Sequence, residues 1–246
     1  MRLICFFFSA KLSALTQLIL LLTLYTSNAP AKTQPPKEAP NKNKLIFLGD
    51  SLTAGYGLDQ KLSFPDLIAK RLNEDGHAHV SVVNAGVSGS TTASGLSRLK
   101  WQLKGKPTHL VLALGANDAL RGFKTSATKK NLEDILKLAE SNSLKVLLAG
   151  VRVPPNYGQK YGDEFNTMFQ TVATNHHVQF YPYILSGVGG EKHLNQADGI
   201  HPNEQGHKTI AENLYPHILK LLGVESKRDM NSSKDMNNNK NSAEKK

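Results

Sequence analysis

The chain has 246 residues, 39% of them hydrophobic, a formal net charge of +10 and one cysteine, Cys5, which excludes a disulfide framework. Arg2 and Lys11, residues 32–43 and residues 224–246 each carry about two of the positive charges, leaving about +4 on residues 44–223. No basic stripe interleaved with aromatics appears, so nucleic acid is not the expected partner; a solvated surface, open to peripheral contact with anionic membranes, fits the basic balance better.

Residues 12–25 (LSALTQLILLLTLY) are almost wholly apolar, follow Arg2 and Lys11, and lead into Ala29-Pro30-Ala31. That order reads as a secretory signal over residues 1–31. Cleavage is expected after Ala31, because a cut after Ala29 would abut the rigid ring of Pro30. An uncleaved membrane anchor is the rival reading, with an apolar run short for a full span. Export follows, with the periplasm as the expected location and secretion as the alternative. Cys5 precedes the apolar stretch, so it is a poor candidate for lipid attachment. Residues 32–43 are polar and Pro-rich, the composition of a linker. Residues 224–246 are Asn, Lys and Ser with almost nothing apolar, the composition of a disordered tail. One domain is expected over residues 44–223.

Within that domain a short apolar run, 44–48, breaks at Gly49 and gives way to Asp50, Ser51 and a Thr-Ala-Gly turn. This reads as a buried strand feeding a tight turn into a helix. Residues 64–72 place Phe64, Leu67, Ile68 and Leu72 on one helix face, ended by Gly76. A strand over 80–83 runs into the polar turn Asn84-Ala85-Gly86-Val87-Ser88-Gly89-Ser90. A helix over 91–103 shows Leu96, Leu99 and Leu103 on one face. A strand over 109–114 ends in Gly115-Ala116-Asn117-Asp118. Helix 132–139, strand 145–149, a Pro/Gly/Tyr segment over 153–162, helix 165–173 and strand 178–181 follow. Residues 183–197 lack a period and read as a loop, a candidate lid. A helix over 203–222 closes the domain. Strands that are continuous apolar runs, alternating with helices, imply a parallel sheet covered on both faces. The glycine-rich turn at 49–55 lacks the lysine of a phosphate-binding loop.

Near the end stands Asp198-Gly199-Ile200-His201. An acid and a histidine three apart in a loop can lie side by side, the acid fixing one imidazole nitrogen while the other takes a proton from a serine. Serine is a weak nucleophile until such a base is present. Acyl transfer also needs donors aimed at an oxyanion. The strand ends offer the Ser51 N–H, an N–H of the 84–90 turn, and the Asn117 amide. The remaining histidines, His77, His79, His109, His176, His177, His193, His207 and His217, read as polar surface residues. His77 and His79 alternate as a metal pair would, but no third ligand accompanies them.

The blocks GDSLTAGYG, NAGVSGSTT, LGANDALRGF and DGIHPNEQGH resemble, in order, the four signature blocks of the SGNH (GDSL) hydrolases. Within that family they resemble the bacterial exported acyl thioesterase, lysophospholipase and arylesterase branch. The resemblance runs from Lys44 to about Leu222. It implies a flavodoxin-like three-layer α/β/α sandwich with a five-stranded parallel sheet. It makes Ser51 the nucleophile, His201 the general base and acid, and Asp198 its orienter. The oxyanion hole would be the Ser51 N–H, the Gly89 N–H and Asn117, with Gly86 as second choice for the glycine. Ser90 departs from the pattern, since close relatives often carry Asp there. Asp50 would fix the nucleophile turn, and residues 119–123 resemble a mobile loop lining the acyl site. Leu120, Phe123 and Tyr157 are expected to bind the acyl group. The implied substrate is a small-molecule acyl ester or thioester, lysophospholipid included, with no metal or organic cofactor. The alternatives are a carbohydrate O-deacetylase of the same fold and a non-catalytic α/β binding domain.

Overall fold

The computed structural model describes residues 43–226. The expected signal, nearly all of the linker and all but the first three residues of the tail lie outside them.

Five strands form one parallel sheet: β1 (Asn43–Gly49), β2 (Val80–Gly86), β3 (His109–Ala113), β4 (Lys145–Ala149) and β5 (Gln179–Tyr181). The spatial order is β2-β1-β3-β4-β5. Leu45 to Leu48 and Leu110 to Leu112 have no exposed surface, which is why these strands read as unbroken apolar runs. Among the described residues seven α-helices accompany the sheet: α1 (Ser51–Ala54), α2 (Phe64–Glu74), α3 (Gly95–Gln102), α4 (Ala116–Leu120), α5 (Thr125–Ser141), α6 (Gln159–Asn175) and α7 (Glu204–Leu222). α2 packs against α7, while α3 packs against α5 and α5 against α6. The sheet is thus the middle of three layers, as expected.

The chain leaves β1 toward β2 and then returns past β1 to β3. The crevice at the carboxyl end of β1 is therefore the point where strand order reverses, where open α/β sheets bind ligands. Register brings the strand ends level there: Gly49 pairs with Gly86 on one side and Ala113 on the other.

Several elements differ from the sequence reading. β2 runs on through Asn84 and Ala85 to Gly86, so the first three residues of the expected polar turn are strand. α6 begins at Gln159 and takes in Tyr161 and Gly162, because the helix face led by Phe165, Phe169 and Val172 outweighs one glycine. The 183–197 loop is packed rather than lid-like: Ile184, Val188 and Leu194 are buried, and the Asn195 amide donates to the carbonyls of Val188 and Glu191. Val224 donates to Leu219 and the Glu225 carbonyl lies 2.9 Å from the His77 ring, so the tail's first residues stay on the domain. Three histidines expected at the surface are buried: His77, His109 and His207. His207 Nδ1 accepts from the Phe64 N–H at 3.2 Å, which ties the start of α2 to α7. Among the described residues no group of three or more His, Cys, Asp or Glu is placed to hold a metal, and no helix is long and apolar enough to cross a membrane.

Candidate active site

Ser51 is the first residue of α1, so its N–H has no acceptor within the helix. Asp50 caps that helix. Its Oδ1 accepts from the Leu52 N–H at 3.0 Å, and the carboxyl is buried. Burial pushes Asp50 up to about 6, against the pull of the Leu52 N–H and the nearby His201 and Arg98. Gly55 ends α1 with φ 74°, a left-handed cap open to glycine.

Asp198 and His201 lie in the loop before α7, which Asn203 caps by accepting from the Gly206 N–H at 3.1 Å. Asp198 Oδ1 accepts from the N–H groups of Ile200 and His201 at 2.9 and 3.0 Å. Its Oδ2 lies 2.7 Å from His201 Nδ1, and His201 Nε2 lies 2.9 Å from Ser51 Oγ. These hydrogen bonds, led by the His201 N–H, hold the Asp198 carboxyl down at about 2. An ionised carboxylate only accepts, so the imidazole proton sits on Nδ1 and leaves Nε2 to accept from the serine hydroxyl. The structure therefore brings Ser51, His201 and Asp198 into one hydrogen-bonded chain.

The turn after β2 is anchored to β1, because the Val87 N–H donates to the Gly49 carbonyl at 3.1 Å. Ser90 N–H closes back on Val87 O, and Gly89 takes φ 77° inside that turn. Gly86, the second choice for an oxyanion donor, has no free N–H to offer. Its N–H is spent on Asn84 Oδ1 at 3.0 Å, and a side chain on it would collide with the Ala54 backbone. Gly86 is needed for close approach of α1, not for its N–H. Gly89 is exposed and open instead.

Asn117 sits in α4, and its amide donates to Ser90 O at 3.0 Å. An amide carries two N–H groups, so one remains for a ligand. Arg121 donates to Gly89 O at 3.1 Å, a second tie between α4 and the Gly89 turn. Leu120 is half-buried, while Phe123 and Tyr157 are exposed. The Tyr157 hydroxyl donates to Leu120 O and the Tyr161 hydroxyl to Phe123 O, each at 2.7 Å. The 119–123 segment, expected to be mobile, is therefore tied at three points.

Sequence reading missed four contributors. Buried Asp118 accepts from the Thr92 N–H at 2.9 Å and the Thr92 and Thr128 hydroxyls, and so fixes α4. Arg98 donates to Ala85 O beneath the site. The Tyr56 ring lies 4.6 Å from the His201 ring. Gln196 bridges Tyr56 O and Pro202 O with its amide. Only Asp118 had a sequence signal, its place beside Asn117 after a strand.

A family model described as the GDSL-like lipase/acylhydrolase family matches residues 47–209. The chain belongs to that family. It is 38% identical over 204 residues to esterase TesA of Pseudomonas aeruginosa, covering 82% of this chain and 96% of the relative. It is 35% identical over 183 residues to thioesterase 1/protease 1/lysophospholipase L1 of Escherichia coli, covering 74% of this chain and 86% of that one. Among solved structures it resembles the psychrotrophic esterase EstA from Pseudoalteromonas sp., inhibited by monoethylphosphonate. The TM-score is 0.70 at 31% identity, over 74% of this chain and 99% of that one. The α/β sandwich is the SGNH hydrolase fold, and the protein is an ester or thioester hydrolase of that type.

Proposed function

We propose that the protein is an exported serine hydrolase that cleaves acyl esters or thioesters through an acyl-enzyme. The observation that carries this reading is the unbroken chain from Asp198 through His201 to Ser51, at 2.7 and 2.9 Å. Ser51 Oγ attacks the acyl carbonyl while His201 Nε2 takes its proton. Asp198 holds Nδ1 and balances the imidazolium charge. The carbonyl oxygen becomes an oxyanion among the Ser51 N–H, the Gly89 N–H and the Asn117 amide. His201 returns the proton to the leaving alcohol or thiol. Water then attacks the acyl-enzyme with His201 as base, releasing the acid and restoring Ser51. No step calls on a metal or organic cofactor.

The apolar side chains Leu120, Phe123 and Tyr157 beside Asn117 support an acyl chain over a sugar as the group recognised. The inhibition of EstA by a phosphonate, a reagent for activated serines, supports the nucleophile. The pattern of residues 1–31 supports export, with the periplasm as the location. Hydrolysis of p-nitrophenyl esters from acetyl to palmitoyl, by the enzyme and its Ser51→Ala variant, tests the reading. Activity that peaks at medium or long chains and disappears with Ser51 is expected. Activity confined to acetyl would favour a carbohydrate O-deacetylase, and serine-independent activity would overturn the mechanism.

A further inference from the structure

Tyr56, Val87, Trp101, Phe123, Tyr157 and Ile200 are the exposed large apolar side chains among the described residues. All but Trp101 stand on the loops that carry the active site. Tyr56 follows α1, Val87 lies in the turn after β2, Phe123 follows α4, Tyr157 follows β4, and Ile200 sits between Asp198 and His201. Contacts close these loops around Ser51. The Tyr56 ring meets His201, the Val87 N–H meets Gly49, Arg121 meets Gly89, and Tyr157 meets Leu120. Trp101 lies apart on α3, with the Lys104 ammonium over its ring. Single exposed apolar residues are ordinary, but five gathered on one rim mark an interaction surface.

The same loops carry exposed Lys61, Arg121, Lys124, Arg152 and Lys192 against Asp59, Glu191 and Asp198. Asp59 accepts from the Lys61 N–H, Glu191 faces His193 and Asp198 holds His201, while Arg121 donates to Gly89 O and Arg152 lies over the Tyr183 ring, so five cations stand against three anions. The rim is apolar with a basic excess.

We propose that this rim docks the enzyme on an anionic lipid surface, with the mouth of the active site facing the acyl layer. The docking deepens the esterase reading and rests on it for its purpose. A surface of anionic phospholipid supplies the opposite charge to Arg121, Lys124 and Arg152, and its headgroup boundary accepts shallow apolar side chains. A second copy of the chain would instead set like charges against one another.

Co-sedimentation of the mature chain, from Lys32 to Lys246 and carrying Ser51→Ala, with phosphatidylglycerol or phosphatidylcholine vesicles tests the proposal without consuming lipid. Binding to phosphatidylglycerol that exceeds binding to phosphatidylcholine is expected. Val87→Ser with Ile200→Ser should weaken it at least about tenfold, since two apolar side chains lose their burial. Trp101→Ser should leave it unchanged. In the enzyme with Ser51 intact, the paired variant should lower the rate on a vesicle-borne ester about tenfold relative to the rate on dissolved p-nitrophenyl butyrate.

Binding that survives the paired variant overturns the proposal and assigns the attraction to basic residues elsewhere in the chain. Failure to bind either vesicle also overturns it, as does a concentration-dependent dimer that the paired variant abolishes. Failure of the unsubstituted enzyme to hydrolyse dissolved ester overturns the esterase reading instead, and the vesicle arm reports independently of it.

Discussion

The side-chain amide of Gln196 donates to the backbone carbonyl of Tyr56 at 2.7 Å, joining two segments 140 residues apart. The same nitrogen reaches Pro202 O at 3.0 Å, and the Gln196 N–H donates to His201 O at 2.8 Å. One side of this brace follows the helix that holds Ser51, and the other side flanks His201. A side chain on Gly57 would strike the Gln196 amide oxygen, so the fit is close.

Gln196→Ala should therefore cost about 1 kcal/mol of stability. It should cost more in turnover, roughly ten- to hundredfold in kcat, because small errors in the Ser51–His201 geometry are expensive. KM should change little. Gln196→Glu keeps the size but loses the donor, and should behave like Ala. A urea melt and steady-state kinetics on a dissolved ester check both. Equal loss in KM and kcat, or a kcat that Gln196→Glu preserves, would deny the brace a part in positioning.

Two buried groups titrate across one pH window with opposite effects on stability. Desolvation raises Asp50 from its ordinary 3.8 to about 6. Between those values the folded state holds the proton and the unfolded state does not, so stability falls as pH rises. Desolvation lowers His207 from 6.5 to about 4. Between those values the unfolded state holds the proton, so stability rises with pH, and His109 and His217, also lowered by burial, act in the same sense. Each large displacement is worth on the order of 3 kcal/mol across its window. Asp50→Asn keeps an acceptor for the Leu52 N–H, and its stability relative to the parent should climb from pH 4 to 6. His207→Gln keeps an acceptor for the Phe64 N–H, and its relative stability should decline from pH 4 to 6.5. Thermal melts across pH 4–7 check the signs, and parallel slopes in both variants would refute the assignment.

Gly86, the last residue of β2, and Gly89, in the turn that follows, are glycine for different reasons. Gly86 lacks room for a side chain beside Ala54, whereas Gly89 has room but holds φ 77°. Gly86→Ala forces α1 off the sheet and should cost about 2–3 kcal/mol or more, with loss of activity. Gly89→Ala should cost about 1–2 kcal/mol from left-handed strain and keep much of its activity, since the N–H remains. Chemical denaturation and kcat measured together separate the two.

The pair also marks how far the sequence could be read. Strands 45–48 and 110–112 were legible because both faces are buried and every residue is apolar. Ser51, Asn117, Asp198 and His201 were legible because each follows a strand or precedes a helix inside a recognisable block. Only the family resemblance ranked Gly89 above Gly86, since from the residues themselves a glycine that admits a neighbour looks the same as one that bends the chain. Nor could His207 or Gln196 be assigned. Their partners, Phe64 and Tyr56, lie 143 and 140 residues away, and local pattern carries no information at that range.

Tyr157 and Tyr161 provide the last test, because their hydroxyls pin the backbone of Leu120 and Phe123 at 2.7 Å each. Asn117 is held separately, by Ser90 and by the buried Asp118 cluster. The two sets of contacts should therefore separate in kinetics. Tyr157→Phe with Tyr161→Phe removes two partly exposed hydrogen bonds, about 1 kcal/mol each at most. It should loosen the apolar side of the site while leaving the oxyanion donors in place. On p-nitrophenyl acetate, kcat should stay within about twofold of the parent. On decanoyl and longer esters KM should rise severalfold, because the chain meets a less ordered wall. Removing Asn117 itself should do the reverse, costing roughly a hundred- to a thousandfold in kcat on every chain length. A tyrosine pair that lowered kcat equally on acetate and decanoate would mean that the 119–123 segment and Asn117 move as one body, and that the hydroxyls serve the oxyanion rather than the acyl chain.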